Sequence, residues 1–257
     1  MIETSILVAY LDGVLETFRI PDYPGAINGL QLANEGPIRK IAAAVDFSSR
    51  SVASAIDGGA NFLLVHHGMF WGGAKPITGV VFRRLRSLID NDVAVYASHL
   101  PLDCHREFGN NMLLSRELGL EPGGEFASFK TFPIGVRGTS NIPTAELVAA
   151  ARRFASRHAT EVVVSPFQPE AITKSWAICT GAGASAETLH EAAASGVDTL
   201  IVGEGPHWTA VEGEELGITI IYAGHYATET LGVRALAHHL SERFSLEWMP
   251  IHAPTGL

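Results

Sequence analysis

One pattern occurs twice along this chain, and it constrains the fold more than any other feature. In the first half a helix-to-strand turn reads Ala55-Ile-Asp-Gly-Gly59-Ala-Asn61-Phe-Leu-Leu-Val65-His66-His67. In the second, Ala192-Ala-Ala-Ser-Gly196-Val-Asp198-Thr-Leu-Ile-Val202-Gly203-Glu204 follows the same plan. Further on, Val93-Ala-Val-Tyr96-Ala-Ser98-His99 matches Thr219-Ile-Ile-Tyr222-Ala-Gly224-His225, and each of these strands ends in a histidine. Four positions later stands a carboxylate in both cases, Asp103 and Glu229. Apolar strands repeat easily by chance; a repeated polar tail does not. The expectation is an internally duplicated α/β chain in which each half supplies a His-x-x-x-carboxylate element to one shared centre.

The rest of the chain alternates in the same way. Strands are expected over 38–45, 62–65 and 93–97, with helices over 48–56 and 77–89 between them and a further helix over 110–118. Beyond it come strands over 131–136, 161–164 and 175–179, with a helix over 144–157. The repeat then supplies helix 186–194, strand 199–202, helix 209–216, strand 218–222, helix 228–244 and strand 246–251. Alternation at this spacing predicts helix-covered sheets and not a sandwich or bundle. Glu121-Pro-Gly-Gly124 is the expected boundary, giving two pseudo-symmetric α/β halves, 1–125 and 126–257, that share one metal cleft.

The N-terminal segment resembles a signal core only superficially. Glu3 and Asp12 interrupt it, and Leu7, Leu11, Val14, Leu15 and Phe18 recur at helical spacing behind a Thr4 or Ser5 cap. An amphipathic first helix is expected. No run reaches the roughly 20 apolar residues of a membrane span, so a soluble, cytoplasmic protein is expected.

With 257 residues, 47% of them hydrophobic, the chain can bury a large core. A net charge of -9 without a long Lys/Arg run argues against nucleic acid or an anionic membrane as partner. The two cysteines, Cys104 and Cys179, form no Cys-x-x-Cys pair, so neither a disulfide framework nor a thiolate zinc site is indicated.

Six groups are candidate metal ligands: His66, His67, His99, Asp103, His225 and Glu229. Imidazole nitrogen and carboxylate oxygen without thiolate suit zinc, iron, manganese, nickel or cobalt. Six donors exceed the need of one four-coordinate ion, so two divalent ions about 3.5 to 4 Å apart are expected, bridged by a carboxylate. Pro101 favours the bend that folds Asp103 back over the strand end. The bland alternative stays beside this one: separate, structurally satisfied polar residues, with Glu229 stabilising the start of its helix and Asp103 capping another.

The stretches Asn28-Gly-Leu-Gln31, His66-His67, His99 to Asp103, Gly224-His-Tyr-Ala-Thr-Glu229 and Pro254-Thr-Gly-Leu257 resemble those of the Nif-three-like family, YbgI-type dinuclear metal proteins often called GTP cyclohydrolase 1 type 2. Gly135-Val-Arg-Gly138, Thr180-Gly-Ala-Gly-Ala-Ser185 and Gly203-Glu204 with His207 fall where that family has glycine-rich or acidic turns. The resemblance implies a two-metal centre on His66, His67, Asp103, His225 and Glu229, with His99 either a sixth ligand or a donor behind the others. It also implies a homo-oligomer, a ring-like hexamer, without the inserted domain of longer relatives. The cyclohydrolase name implies hydrolytic attack on a purine imidazole ring with loss of formate.

The expected activity is therefore metal-assisted hydrolysis of a nucleotide or other cyclic amide or amidine-type small molecule. His99, Glu204 and His207 are the candidates, in that order, for delivering a proton to the leaving group. Phe70 and Trp71 are candidates to wall a flat substrate ring, with simple aromatic packing as the alternative. Gly181-Ala-Gly183-Ala-Ser185 is read as a tight turn, since it completes neither a dinucleotide fingerprint nor a Walker loop. Arg83, Arg84 and Arg86 are read as a solvated helix face, and His105, His158, His190, His238, His239 and His252 as surface or packing residues. A metal-dependent regulatory or scaffold protein with little catalysis is the competing functional class.

Overall fold

A computed structural model describes all 257 residues. The chain runs α1 (Thr4–Val14), β1 (Gly29–Leu32), β2 (Lys40–Asp46), α2 (Ser49–Asp57), β3 (Phe62–His67), α3 (Gly79–Asp90), β4 (Ala94–Ala97), α4 (Leu100–Asp103) and α5 (Asn110–Glu117). It continues through β5 (Gly124–Phe129), β6 (Phe132–Pro143), α6 (Thr144–Ser156), β7 (Val163–Val164), β8 (Ile172–Cys179), α7 (Ala186–Ala194) and β9 (Thr199–Val202). It closes with α8 (His207–Glu215), β10 (Thr219–Tyr222), α9 (His225–Phe244) and β11 (Glu247–Pro250). Two compact units form: Met1–Phe108 with Gly232–Ala253, and Gly109–Leu231 with Pro254–Leu257.

The first unit holds a five-stranded sheet in the order β1-β4-β3-β2-β11, with β1 antiparallel to β4 and the other pairs parallel. Alternate residues of these strands face opposite cores. Ile41, Phe62, Leu64 and Tyr96 pack with Leu7 and Leu11 of α1 and Leu236 and Leu240 of α9, whereas Leu63, Val65 and Val95 pack with Val52 and Ala55 of α2. Burial on both faces explains why the strands read as continuous apolar runs.

The second unit holds a six-stranded sheet in the order β5-β6-β8-β9-β10-β7. Its parallel core, β8-β9-β10, has the order and direction of β2-β3-β4, and an antiparallel strand closes the third strand in both sheets. Two smaller details recur as well. Ser48 with Ser51 and Ser185 with Thr188 form capping boxes at the starts of α2 and α7. Asn61 Oδ1 accepts from the Arg39 and Lys40 amides, and Asp198 Oδ2 from the Lys174 and Ser175 amides.

Four expectations need correction. The division falls after Phe108 and not at Glu121–Gly124, because α5 already places Leu114 and Leu118 under the second sheet and Gly124 opens β5. The C-terminal strand β11 returns to the first sheet beside β2. Phe18 is 84% exposed while Leu7, Leu11 and Leu15 are buried, since α1 ends at Val14 and the next turn changes direction; its N-cap is Glu3, without a side-chain cap bond. Arg84 is not simply solvated: its guanidinium lies 5.0 Å above the Phe47 ring and donates to the Phe47 carbonyl. No helix is long and apolar enough to cross a membrane.

Candidate metal centre

In a parallel sheet, functional side chains gather at the carboxyl ends of the strands. In the first unit, β3 delivers His66 and His67 as its last two residues, and β4 leads through Ser98 to His99. All three histidines are buried, and one ring nitrogen of each lies within 4.8 Å of those of the other two. Asp103, at the end of the four-residue α4, brings Oδ2 to 3.6 Å from His66 Nε2.

Each ring is held by an oxygen on its other side. His66 Nδ1 donates to the Ser98 carbonyl at 2.9 Å, His67 Nδ1 to Asp46 at 2.9 Å and His99 Nδ1 to Asp22 at 2.8 Å. Donation from Nδ1 puts the lone pair of a neutral imidazole on Nε2, the tautomer a metal ligand needs. Parallel pairing sets one of these partners directly, because Asp46 stands opposite His67 in the β2–β3 register. Burial raises the Asp22 carboxyl, but the hydrogen bond and charge of His99 outweigh it and hold that group below its ordinary value.

The second unit supplies a smaller set. His225 opens α9 and Glu229 follows one turn later, on the same face, with Oε2 3.1 Å from His225 Nε2. The helix begins three residues before the expected Thr228, so Glu229 is not in its first turn and dipole stabilisation does not explain it. Glu204, two residues past β9, accepts from His225 Nδ1 at 2.8 Å. Burial pulls the His225 imidazole down, but the hydrogen bonds and charges of Glu229 and Glu204 outweigh it and lift the group to about 9.

In the first unit three imidazoles tied at Nδ1 beside the Asp103 carboxylate, and in the second one such imidazole beside buried Glu229, are donor sets that fit divalent transition metals. Burying that much acidic and basic functionality is costly unless charge is compensated. Asp103 is the only acidic group of α4 and stands at its last position.

The sequence pattern of the Duf34/NIF3 (NGG1p interacting factor 3) family matches residues 6–255. The chain belongs to the Duf34/NIF3 family. A GTP cyclohydrolase 1 type 2 homolog of Deinococcus radiodurans is 40% identical over 246 residues, covering 94% of this chain and 91% of that protein. Another of the same name, from Pyrococcus abyssi, is 38% identical over 256 residues, covering 99% and 100%. The solved structure of the protein ybgI superposes with a TM-score of 0.89 at 34% identity over the whole of both chains.

This Duf34/NIF3 protein uses residues that a reading for histidines and paired carboxylates passes over. Asp22 and Asp46 lie far from any histidine in sequence, so nothing marks them before the sheet is assembled. The Asn28–Gln31 stretch also acquires a purpose. Asn28 Oδ1 accepts from the His99 amide at 2.8 Å while its Nδ2 donates to Asp22, and Gln31 Oε1 accepts from the Met69 amide at 2.6 Å, bracing the turn after His67.

Gly181 is more than a tight turn in this Duf34/NIF3 chain. Its φ is +63°, and a Cβ there would meet the Glu229 carboxylate and the His225 ring. Of the two expected wall residues, Trp71 lies beside the histidines, its ring centroid 4.4 Å from that of His99 and 4.8 Å from that of His67. Phe70 instead lines a cavity of about 200 Å³ with Phe47, Met69 and Arg84, because the turn after Gly68 points successive side chains apart. His207 is exposed at the start of α8. Tyr10 bonds His239 at 2.5 Å, so that ring is not merely a surface group.

Proposed function

We propose that this protein is a metal-dependent hydrolase of a nucleotide or other cyclic amide or amidine-type small molecule, with two divalent transition-metal ions held in one centre by His66, His67, His99 and Asp103 from the first unit and His225 and Glu229 from the second. The observation that carries the reading is the set of imidazoles whose Nδ1 atoms are each fixed by an oxygen acceptor. The name carried by relatives makes GTP the first substrate to try. Action in the cytoplasm, as a homohexamer, is part of the same proposal.

Bound ions would supply a water of lowered pKa and a Lewis acid for the scissile bond. The chain's own contributions are orientation and proton management. Asp22, Asp46 and Glu204 hold the rings in one tautomer and one orientation. Trp71 covers the His67 and His99 rings on one side and limits water there. Of the three proton-donor candidates, His99 is bonded to Asp22 and Glu204 to His225. The exposure of His207 and its position on the same cavity wall as Glu204 support it as the donor to the leaving group.

The test is turnover with defined metals. Metal-loaded protein is expected to open GTP or a related heterocycle, to lose that activity on chelation, and to lose both activity and bound metal in His67→Ala and Glu229→Ala. Stable metal binding without turnover across nucleotides, cyclic amides and phosphoesters would favour the regulatory alternative.

A further inference from the structure

The second unit contains a cavity of about 340 Å³ whose wall includes Glu161, Glu204, His207, Ala210 and Tyr222. That volume lies within the range of small-ligand sites, as does a largely apolar wall with a few polar groups. Glu204 links it to the candidate centre, since the same carboxylate accepts from His225 Nδ1.

The polarity of this wall is one-sided. It carries two carboxylates and no lysine or arginine; His207 is its one basic side chain. The glycine turns are not phosphate cradles either. The Glu204 amide donates to the Gly181 carbonyl at 2.8 Å and the Gly224 amide to the Gly203 carbonyl at 2.9 Å. The start of α8 adds a positive dipole end equivalent to roughly half a charge. Even with a protonated His207, and with the His225 imidazole shared between Glu204 and the further carboxylate of Glu229, that does not balance the acidic side chains. A group with several acidic oxygens would enter against the net charge, whereas N–H donors meet acceptors.

We infer that this cavity receives the neutral or cationic, N–H-rich ring portion of the substrate, of amidine, guanidine or amino-heterocycle type, and that it does not receive a phosphate chain. The inference rests on the hydrolase reading only in calling the ligand a substrate. Binding itself is independent of metal and turnover.

The experiment therefore starts with chelated, metal-free protein. Titration of 2-aminobenzimidazole, guanosine and inorganic tripolyphosphate, followed by calorimetry and by ligand-observed NMR, is expected to give binding of at least one of the two rings and none of tripolyphosphate. Ala210→Trp, which fills the cavity while leaving every acidic side chain of its wall in place, should abolish ring binding. Glu161→Gln, at an exposed position, should weaken it about tenfold, the usual scale for losing a charged hydrogen-bond partner, and serves if the tryptophan variant does not fold. Glu161→Lys should weaken ring binding further. The inference is overturned if neither ring binds at millimolar concentration, if ring binding survives in the well-folded Ala210→Trp variant, or if wild-type protein takes tripolyphosphate and the tryptophan variant does not. Ring binding that obeys these variants in a protein without hydrolytic activity would sink the hydrolase reading and leave this one intact.

Discussion

At the scale of single residues, the account turns on side chains that hold ligands more than on the ligands themselves. Asp46 is half-exposed and bonds the His67 ring, so Asp46→Ala removes a ring anchor with little damage to packing. Its expected effect is a 10- to 100-fold loss of metal affinity, about the usual cost of removing such an anchor, with unfolding of the metal-free protein nearly unchanged. Competitive chelator titration measures the first and urea denaturation the second; unaltered affinity would remove Asp46 from the site. Gly181→Ala should act differently. A left-handed φ costs a non-glycine residue about 1–2 kcal/mol, and the new methyl would displace Glu229, so both stability and metal binding fall together. Thermal denaturation with and without metal separates the two losses, and an alanine variant that binds metal normally would contradict the packing described for Gly181.

His225 provides a pH test at the same scale. Lifted to about 9 in the absence of metal, its imidazole carries a proton at neutral pH. Loading metal must displace that proton. Proton release on loading should therefore include a contribution from His225 at pH 7 that disappears above about pH 9, and a His225→Ala variant should lack it. An indicator-dye titration in weak buffer reads the difference directly. Equal proton release from both proteins at pH 7 would contradict the raised imidazole.

At the scale of elements, α7 and β9 fall where the apolar repeat puts them, and α2 lies within one residue of its expected bounds, because period and capping chemistry are local. Ser48→Ala and Ser185→Ala are each expected to lower stability by about 1 kcal/mol in urea denaturation, the usual cost of losing such a cap; no loss in either would mean the boxes are ornamental. Elements fixed by long-range pairing were not legible. The antiparallel β1 consists of Gly29–Leu32, with no run of its own, and forms because β4 offers an edge. Likewise β5 begins in the Pro-Gly-Gly stretch that reads as a boundary and becomes a strand by pairing with β6. Six ligand candidates were visible as histidines and carboxylates at repeated positions. Their anchors were not, because Asp22 reaches His99 across 77 positions of sequence and only the folded sheet brings them together.

At the scale of the whole molecule, the two units carry the same three-strand parallel core and each has a histidine and a carboxylate beyond its third strand, yet their candidate donor sets differ. The first offers three imidazoles and a carboxylate, the second one of each. The proposed pair of ions draws on both donor sets. Anomalous scattering from crystals grown with zinc or manganese tests this most directly. The account predicts two peaks about 3.5 to 4 Å apart, bonded to His66, His67, His99 and Asp103 on one side and to His225 and Glu229 on the other. A single ion held by one unit alone, or His225 and Glu229 contacting no metal, would contradict it.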